Sequence, residues 1–405
     1  MNILFLTLFR IAEINERNIY ADQMRKFSAE GHKVYIVTPT ERRFNEETAL
    51  SEDNGVSILR VKTLNIQQSN LIEKGIGTLM IGLHFTRAIN KYFQGIKFNL
   101  VIYSTPPITL TRLIKRIKGR CNAATYLLLK DIFPQNAVDI GLIKENGFLH
   151  KYFKRKERKL YLESDYIGTM SPANVRYLIT HNPYLNTAKV EVCPTSIEVI
   201  DNLLGAEQRR MARLKYRIPI NKTVFIYGGN LGKPQGIDFL LEVIESNYAQ
   251  NEVFFVVAGS GTEYPRIKAW FEKRSPSNAL LLSNLPKDEY DRLVQSCDVG
   301  MIFLDRRFTI PNYPSRLLSY LEFKMPVIAA TDPNSDIGKI AQENEYGFWS
   351  LSGDLEGINK HISQLASNRD LVRRMGENGY RFLKDNYTVD HSYKIIMKHF
   401  SDRKP

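Results

Sequence analysis

Three adjacent residues, Pro314, Ser315 and Arg316, have the side chains expected of a helix start that binds phosphate. Proline suits the first position of a helix, where its missing N–H costs no hydrogen bond, and leucines at helical spacing follow it. A helix N-terminus carries unpaired N–H groups, and the Ser315 hydroxyl and the Arg316 guanidinium add further donors. The stretch therefore predicts a phosphate site, with an ordinary loop–helix–strand unit as the alternative.

A glycine-rich stretch follows the apolar run before residue 228. It contains Gly228, Gly229, Gly232 and Gly236, with Lys233 among them. Glycines allow close approach of the backbone to a ligand, and Lys233 supplies a mobile cation, which makes it a candidate catalytic residue. The spacing fits neither a P-loop nor a dinucleotide-binding fingerprint, which argues against ATPases and dehydrogenases. A flexible loop that needs positive φ angles is the alternative interpretation.

Two further apolar runs of the second half also end in turn residues. Gly259, Ser260 and Gly261 follow the first run, and Asn284 and Leu285 follow the second. Because parallel strands end at the same edge of a sheet, these turns, the glycine-rich stretch and the 311–316 loop are expected to converge on one cleft. The convergence predicts a ligand-binding cleft more specifically than any single loop does.

The first half offers candidates for acid–base chemistry, whose roles below are those that apply if the chain transfers a group from a phosphorylated donor to an acceptor. Lys130 and Asp131 follow the apolar run Ala124–Leu129. Asp131 could orient or deprotonate an acceptor hydroxyl, and Lys130 could stabilise a departing phosphate. The alternative is that Asp131 only caps the next turn. Glu16 and Arg17, in the first strand–helix loop, could contact donor phosphate or acceptor.

Apolar runs of strand type alternate with helical patterns along the chain, which predicts an α/β fold of two doubly wound, Rossmann-like domains facing a cleft. We expect domains at 1–195 and 196–385, and a C-terminal helix at 386–405 that packs back on the first domain. The predicted strands are Ile3–Leu8, Val34–Thr38, Ser57–Val61, Leu100–Tyr103, Ala124–Leu129, Tyr166–Thr169, Val190–Val192, Thr223–Tyr227, Val253–Ala258, Leu280–Leu282, Val299–Phe303 and Val327–Ala330.

The charge of the 405-residue chain is concentrated in its first half. Residues 1–190 contain 28 Lys and Arg against 16 Asp and Glu, and the remaining residues contain 28 against 27. This asymmetry indicates an anionic partner for the first half. No stretch is long and apolar enough to span a bilayer, and three distant cysteines fit a reducing cytoplasm better than a disulfide framework.

Two segments of the first half are rich in basic residues. Thr109–Arg120 has an apolar helical face, five basic residues and no acid, and Lys151–Lys159 adds six basic residues against one Glu. With the apolar segment Leu71–Ile89, they predict contact with an anionic membrane surface. The alternative for Thr109–Arg120 is a helix packed on the core with a solvated polar face. No nucleic-acid-binding motif accompanies the charge, so we expect no nucleic-acid partner.

Several motifs occur together and in order: Gly236–Leu241 after the glycine-rich stretch, Gly259–Gly261, Leu285–Tyr290 and Pro314–Ala329. With them, the second half resembles the donor domain of family-4 glycosyltransferases of the GT-B fold. In the first half, Ile14–Tyr20, Gly31–Val34 and Lys130–Gly141 resemble a branch that includes capsule and O-antigen N-acetylfucosaminyl-type transferases.

The chain departs from this family at positions that matter for the donor. The family usually has an Arg and a Lys in the first loop to neutralise the donor diphosphate, where this chain has Asn230 and Gln235. The second of two family glutamates, which commonly holds the ribose, is Ser319 here, and the first is Pro311. Glu322, three residues after Ser319, is a possible substitute.

The resemblance implies a retaining glycosyltransferase that moves a sugar from a nucleotide donor to an undecaprenyl-diphosphate-linked saccharide. A UDP-linked, N-acetylated sugar is the expected donor, and the inner face of the cytoplasmic membrane is the expected location. No cofactor is expected, and the lack of an Asp-x-Asp pair predicts transfer without a metal. The alternatives are a sugar-nucleotide epimerase or hydrolase of the same architecture, or an inactive nucleotide-sugar-binding subunit.

Overall fold

The computed structural model describes residues 1–66 and 71–400 and divides the chain into two compact units. Unit 1 comprises Met1–Glu198 and the segment from Thr388 onward, and unit 2 comprises Val199–Tyr387. Each unit is one largely parallel sheet with helices between successive strands, as the alternating apolar pattern predicts.

Unit 1 contains an eight-stranded sheet in the order β3-β4-β2-β1-β5-β6-β7-β8, in which only β3 is antiparallel to its neighbour. Its strands are β1 (Asn2–Leu6), β2 (Lys33–Glu41), β3 (Ala49–Asp53), β4 (Val56–Thr63), β5 (Leu100–Ser104), β6 (Ala124–Leu129), β7 (Tyr166–Thr169) and β8 (Val190–Val192). Its helices are α1 (Ile19–Ala29), α2 (Leu71–Tyr92), α3 (Thr111–Cys121), α4 (Gln135–Asp139), α5 (Phe148–Glu163) and α6 (Pro172–His181).

Unit 2 contains a six-stranded parallel sheet in the order β11-β10-β9-β12-β13-β14. Its strands are β9 (Thr223–Asn230), β10 (Val253–Ser260), β11 (Ala279–Leu282), β12 (Val299–Phe303), β13 (Val327–Thr331) and β14 (Gly347–Leu351). Its helices are α7 (Ala206–Lys215), α8 (Ile237–Ser246), α9 (Tyr264–Arg274), α10 (Lys287–Ser296), α11 (Arg316–Glu322), α12 (Ile337–Glu343), α13 (Leu355–Ala366) and α14 (Arg369–Asn386).

The last described helix, α15 (Val389–Met397), returns to unit 1 and packs against α1. Ile396 and Phe400 are buried in the same apolar cluster as β1, β2 and β5. The Tyr393 ring meets the Phe27 ring edge to face at 5.0 Å. The predicted return of the chain end to the first domain is therefore confirmed, and apolar burial holds it there.

Two strands at the edges of the sheets were missed by the sequence prediction. β3, with the sequence Ala-Leu-Ser-Glu-Asp, is polar and pairs with β4 alone. β14 pairs with β13 alone and is only partly buried. An edge strand is covered on fewer sides than a central strand, so it needs fewer apolar residues and leaves a weaker pattern.

No helix of the described residues has the length and apolar content needed to cross a membrane.

Candidate functional site

The predicted donor-binding loops lie side by side at one edge of the unit 2 sheet. β10 and β9 are neighbours, with Gly259 opposite Gly229 and Ser260 opposite Asn230, and β12 and β13 follow β9 in the sheet. All six strands are parallel, so their carboxyl ends share this edge. The sequence stretches at residues 228–236, 259–261 and 311–316 are thereby brought together.

Arg316, Gln235, Tyr227 and Gly229 form a cluster at this edge, referred to below as the Arg316 cluster. The Arg316 Nη2 donates a hydrogen bond of 2.7 Å to Gln235 Oε1, and its guanidinium carbon lies 4.3 Å from the centre of the Tyr227 ring. The Tyr227 hydroxyl lies 3.1 Å from the same Gln235 oxygen and 3.0 Å from the Asn230 carbonyl oxygen, and its single hydrogen is donated to one of them or shared between both. The arginine side chain is thus held in place before any ligand binds.

The opposite nitrogen of the Arg316 guanidinium is without a partner. Nη1 is buried, yet it makes no hydrogen bond to any residue in the described part of the chain. A Cβ atom added at Gly229 would lie 4.0 Å from the Cζ and from the Nη2 of Arg316 and would meet nothing else, so the guanidinium packs beside Gly229. A buried guanidinium N–H without a partner is suited to bind a phosphate oxygen.

Lys233 and Asn230, the other polar side chains of the glycine-rich loop, are exposed. Lys233 begins a short 3-10 turn, Lys233–Gln235, and lies two residues from the glutamine that holds Arg316. It is the cation predicted for this loop, and its catalytic role stays a prediction. Ser260 is half-buried at the end of β10, and its carbonyl accepts the Leu231 N–H at 2.8 Å.

Three of the predicted glycines are required by packing within the chain. A side chain at Gly228 would collide with the Tyr290 hydroxyl, one at Gly259 with the Gly229 carbonyl and one at Gly261 with the Leu231 carbonyl. These close approaches are made within the chain, whereas a Cβ at Gly229 would touch only Arg316, at 4.0 Å. Packing alone is enough to require these three glycines, because packed strand ends need small residues, and their contacts with a ligand stay predictions.

We expect Gly261→Ala to destabilise unit 2 by about 1–3 kcal/mol, the usual cost of overpacking. An added Cβ would lie 2.8 Å from the Leu231 nitrogen and closer still to the Leu231 carbonyl, and a backbone cannot yield as a flexible side chain does. Denaturant unfolding measures the change. Gly119→Ala in α3 is the control: its Cβ would meet nothing within 4 Å, and it should stabilise the helix by about 0.5–1 kcal/mol. Equal stability of both variants would contradict the packing argument.

The helix start at residues 314–316 differs in detail from the prediction. α11 begins at Arg316, not at Pro314, and its cap residue Ser315 makes no side-chain hydrogen bond to the helix. The Pro314 carbonyl accepts the Leu317 N–H at 3.3 Å, so the proline belongs to the turn before the helix. With only seven residues, α11 contributes little helix dipole, and the guanidinium of Arg316 is the main positive group here.

The two candidate ribose-binding residues have different surroundings. The Glu322 side chain is buried, and its Oε1 accepts the Ile200 N–H at 3.1 Å, so Glu322 holds the connector that follows unit 1. This position does not support the predicted role of Glu322 as a ribose ligand. Ser319, on the same helix, is half-buried and stays a predicted ligand. Asn284, which is exposed, and Leu285, which is partly buried, follow β11 at the same sheet edge and also stay predicted ligands.

In unit 1, the strand-end pair Lys130 and Asp131 is tied to the neighbouring strand end by Thr105. The Thr105 hydroxyl accepts the N–H groups of Lys130 at 3.0 Å and of Asp131 at 3.3 Å, and it donates to the Asp131 carbonyl at 3.3 Å. The Asn136 Nδ2 donates to Asp131 Oδ1 at 3.1 Å. The second carboxylate oxygen, Oδ2, is the one available to an acceptor hydroxyl.

Burial changes the pKa of both side chains toward neutrality. It raises the pKa of Asp131 from 3.8 to about 6, against the opposing effect of the Asn136 hydrogen bond. It also lowers the pKa of Lys130 from 10.5 to about 8. A carboxyl group and an amine with these values can exchange protons near neutral pH, which is the property required of acid–base groups.

Glu16 and Arg17 lie in the loop between β1 and α1, which is firmly anchored. The Arg25 Nη1 donates to the carbonyls of Ile14 at 2.5 Å and Glu16 at 3.1 Å. The Glu16 carboxylate is exposed and accepts the Ala12 N–H at 3.4 Å, and Arg17 is half-buried. Their predicted contacts with donor or acceptor stay predictions.

Tyr227 and Thr105 are the residues of these sites that the sequence analysis missed. Tyr227 lies in the buried part of β9, Thr223–Gly228, whose continuous apolar run does not distinguish one ring from another. A signal was present, because a buried tyrosine hydroxyl needs a partner and Tyr227 directly precedes the glycine-rich loop. Thr105 had no such signal. In the described ranges 1–66 and 71–400, no group of three or more His, Cys, Asp and Glu side chains is arranged to hold a metal ion.

Residues 208–382, nearly all of unit 2, match the family described as "Glycosyl transferases group 1". The chain is 20% identical over 309 residues to the probable glycosyltransferase WbjE of Pseudomonas aeruginosa, covering 74% of this chain and 73% of the relative. It is 23% identical over 250 residues to O-antigen chain mannosyltransferase C of Escherichia coli, covering 62% and 64%.

Solved structures of GT-B glycosyltransferases cover almost the entire chain, which confirms the predicted fold class. One of the similar structures is HepE of Anabaena in complex with UDP, with a TM-score of 0.70 at 11% identity, covering 99% of this chain and 100% of HepE. The family match and the named relatives together support a glycosyltransferase, and they do not distinguish the predicted N-acetylfucosaminyl branch.

Proposed function

We propose that the protein is a retaining glycosyltransferase that moves a sugar from a nucleotide donor to a lipid-linked saccharide during the synthesis of a surface polysaccharide. The proposed donor is a UDP-linked, N-acetylated sugar, and the proposed acceptor is an undecaprenyl-diphosphate-linked saccharide. Unit 2 binds the donor and unit 1 binds the acceptor. The transfer requires no metal ion in this proposal.

The Arg316 cluster carries this proposal. A nucleotide sugar presents two phosphates, and Arg316 Nη1 is a buried donor without a partner at the edge where the parallel strands of unit 2 end. Gln235 accepts the hydrogen bond of the other terminal nitrogen, Nη2. In this proposal, the position where the family usually has a basic residue thus holds an amide that orients Arg316. The complex of HepE with UDP gives a precedent for this ligand on the same fold.

The proposed reaction breaks the bond between the anomeric carbon of the sugar and the donor diphosphate and forms a bond to an acceptor hydroxyl oxygen. Negative charge develops on the leaving diphosphate, where Arg316 and Lys233 stabilise it. The proton of the acceptor hydroxyl passes to the diphosphate or to Asp131. Lys130, beside Asp131 in the same loop, adds positive charge near the departing phosphate.

The lipid-linked acceptor is inferred from charge and from relatives. Residues 1–190 carry nearly all of the net charge of +13, and such a surface suits an enzyme that meets its substrate at an anionic membrane. The name of one relative specifies O-antigen chains. We therefore place the enzyme on the inner face of the cytoplasmic membrane.

Titration of the purified protein with UDP and with GDP by calorimetry tests the donor. Binding of UDP with weaker binding of GDP is expected, and absence of binding by both would overturn the proposal. Incubation of labelled UDP-sugar with membrane vesicles tests the acceptor. Label in the lipid fraction supports transfer, conversion of the donor without vesicles indicates an epimerase or hydrolase, and binding without turnover indicates an inactive subunit.

The pKa values predict a bell-shaped pH dependence of kcat/KM. Asp131 must lose its proton to accept one, so activity should rise as pH increases through about 6. Lys130 must keep its charge, so activity should fall as pH increases through about 8. Initial rates between pH 5 and pH 9 give both limbs. Lys130→Met should remove the alkaline limb and leave the acid limb; a variant that keeps both would show that another group titrates near pH 8.

A further inference from the structure

The helix α2 of unit 1 has two apolar faces, and only one of them is packed on the protein. Ile81, Phe85 and Ile89 are at most 1% exposed and lie against the sheet. The other face carries Ile76, Leu79, Met80 and Leu83, which are 47%, 47%, 37% and 46% exposed; these four residues are referred to below as the α2 stripe.

The spacing of the α2 stripe places its four side chains on one side of the helix. Positions i, i+3, i+4 and i+7 fall within about 100° around a helix axis. Single exposed leucines are normal on a protein surface, but four contiguous large apolar side chains mark a surface that is covered by something else. No described residue of the chain covers them.

The neighbouring helix α3 presents a basic surface beside this stripe. Arg112, Lys115, Arg116 and Arg120 are exposed and pair with no acid in the part of the chain that the structure describes. The apolar face of α3 is buried, with Leu113, Ile114 and Ile117 at most 3% exposed. The alternative of a core-packed helix with a solvated polar face is therefore the one found in α3.

Contacts between the helices show that α2, α3 and α5 are neighbours. α2 contacts α3, and α3 contacts α5, so α3 lies between the other two. The Thr109 hydroxyl, just before α3, donates to the Thr78 carbonyl of α2 at 2.7 Å. At the start of α5, the Phe148 and Leu149 side chains are 83% and 55% exposed. The exposed surface therefore alternates apolar, basic and apolar across three adjacent helices.

This surface lies toward the edge of the sheet that carries Asp131. α2, α3 and α5 follow β4, β5 and β6, which are parallel, and a helix begins on the side where the preceding strand ends. Three residues of the α2 stripe (Ile76, Leu79 and Met80), Arg112 to Arg116 and Phe148 belong to the first halves of their helices, and Leu83 lies just past the middle of α2. Lys130 and Asp131 follow β6 at this same edge.

We propose that the exposed surface of α2 and α3 docks on an anionic lipid bilayer. The α2 stripe enters the headgroup region, and the basic residues of α3 bind the anionic headgroups. This proposal rests on the proposed function, since it brings a lipid-linked acceptor to the edge of unit 1 where Asp131 lies. Charge complementarity favours a bilayer over a second copy of the chain, because two copies would bring their α3 arginines and lysines together.

Sedimentation with vesicles of phosphatidylglycerol and phosphatidylcholine, without any donor, tests the proposal. The wild-type protein should bind these vesicles, bind pure phosphatidylcholine more weakly, and dissociate as salt rises. The variant Ile76→Gln, Leu79→Gln, Leu83→Gln should lose about tenfold or more in partition coefficient. The matched control is Met211→Gln, Leu214→Gln in α7 of unit 2, where the side chains are 56% and 48% exposed; its binding should not change.

A tryptophan reporter distinguishes insertion from surface attraction. Both native tryptophans, Trp270 and Trp349, lie in unit 2, so Leu79→Trp places a single reporter in unit 1. Its fluorescence should shift to shorter wavelength when anionic vesicles are added, and Leu214→Trp should not respond. Thermal unfolding and UDP affinity without vesicles should be unchanged in all four variants.

Three results would overturn the docking proposal: no vesicle binding by the wild type, unchanged binding by the triple variant, or an unshifted Leu79→Trp spectrum. If the wild type is a dimer, and the triple variant is a monomer that still binds vesicles, then a second copy of the chain covers the α2 stripe. Because the vesicle assay contains no nucleotide, failure to bind UDP would remove the proposed function and leave the docking result valid.

Discussion

Replacing Arg316 by alanine is expected to weaken binding of the nucleotide donor by about 1.5–3 kcal/mol, roughly 10- to 150-fold in Kd. The guanidinium is already oriented by Gln235 and by the face of Tyr227, so little ordering cost opposes its contact with a phosphate. Calorimetric titration with UDP measures the loss. The same change should lower kcat further, because the leaving diphosphate gains charge in the transition state.

Three further variants make this test specific. Arg316→Lys keeps the charge and loses the planar fork, so an intermediate loss is expected. Gln235→Leu removes the acceptor of Nη2 and should weaken binding less than Arg316→Ala, since the cation remains. Arg373→Ala removes an exposed arginine of α14 whose partner is Asp370, and UDP affinity should not change. A loss below a few tenths of a kcal/mol for Arg316→Ala would show that Arg316 only packs on Tyr227.

Replacing Asp131 by asparagine is expected to lower kcat by about 10²–10⁴-fold, the range of general acid–base catalysis, with little effect on donor affinity. Asparagine has the same shape, and its Oδ1 can still accept the hydrogen bond from Asn136. It cannot accept a proton from the acceptor hydroxyl. Steady-state rates with saturating donor measure the change, and the acid limb of the pH profile should disappear with it.

The stability of the same variant separates a catalytic role from a structural one. The pKa of Asp131 is raised in the folded state, so the folded protein binds this proton more tightly than the unfolded chain does. The ionised carboxylate therefore costs stability increasingly as pH rises from about 4 to about 6, and the cost stays constant above that. Asp131→Asn should raise Tm more at pH 8 than at pH 5.

A matched control exists in the next helix. Asp139 in α4 accepts a hydrogen bond of 2.8 Å from Gln135, and Asp139→Asn should leave kcat nearly unchanged. If Asp131→Asn alters Tm as expected while kcat stays at the wild-type level, Asp131 is a structural residue of the strand-end loop. Transfer would then proceed with the leaving diphosphate as the proton acceptor.

Most of the architecture was predictable because it depends on local patterns. A buried parallel strand leaves a short continuous apolar run, and an α/β helix leaves a 3.6-residue pattern, so the alternation is visible along the chain. β9, for example, was predicted as Thr223–Tyr227 and extends to Asn230. The polar edge strand β3 and the partly buried β14 lack that signal. The sequence also predicted that the strand-end loops converge, because parallel strands end together.

Contacts between residues distant in sequence were not predictable. Gln235 and Arg316, which are hydrogen-bonded, are 81 positions apart. Thr105, whose hydroxyl accepts a hydrogen bond from the Lys130 N–H, lies 25 positions before Lys130. No local pattern encodes such pairs, since they depend on strand order and on the rotamers of buried side chains. The packing roles of Gly228, Gly259 and Gly261 were hidden for the same reason.

The stretch Pro314–Arg316 shows both contributions. Its residue types determined that a cation and hydroxyl donor would stand at a helix start near a glycine-rich loop. The tertiary structure decided that the helix begins at Arg316 and is short, and that Gln235 and Tyr227, rather than the helix end, position the guanidinium.

The basic helices of unit 1 show the same division. Periodicity in the sequence determined that α3 has one apolar and one basic face. Only the packing of the sheet decided that the apolar face of α3 is buried and that α2 keeps four apolar side chains exposed. Because α2 has apolar residues on two sides, its sequence pattern does not predict which side faces the core. That side is determined by the neighbouring elements.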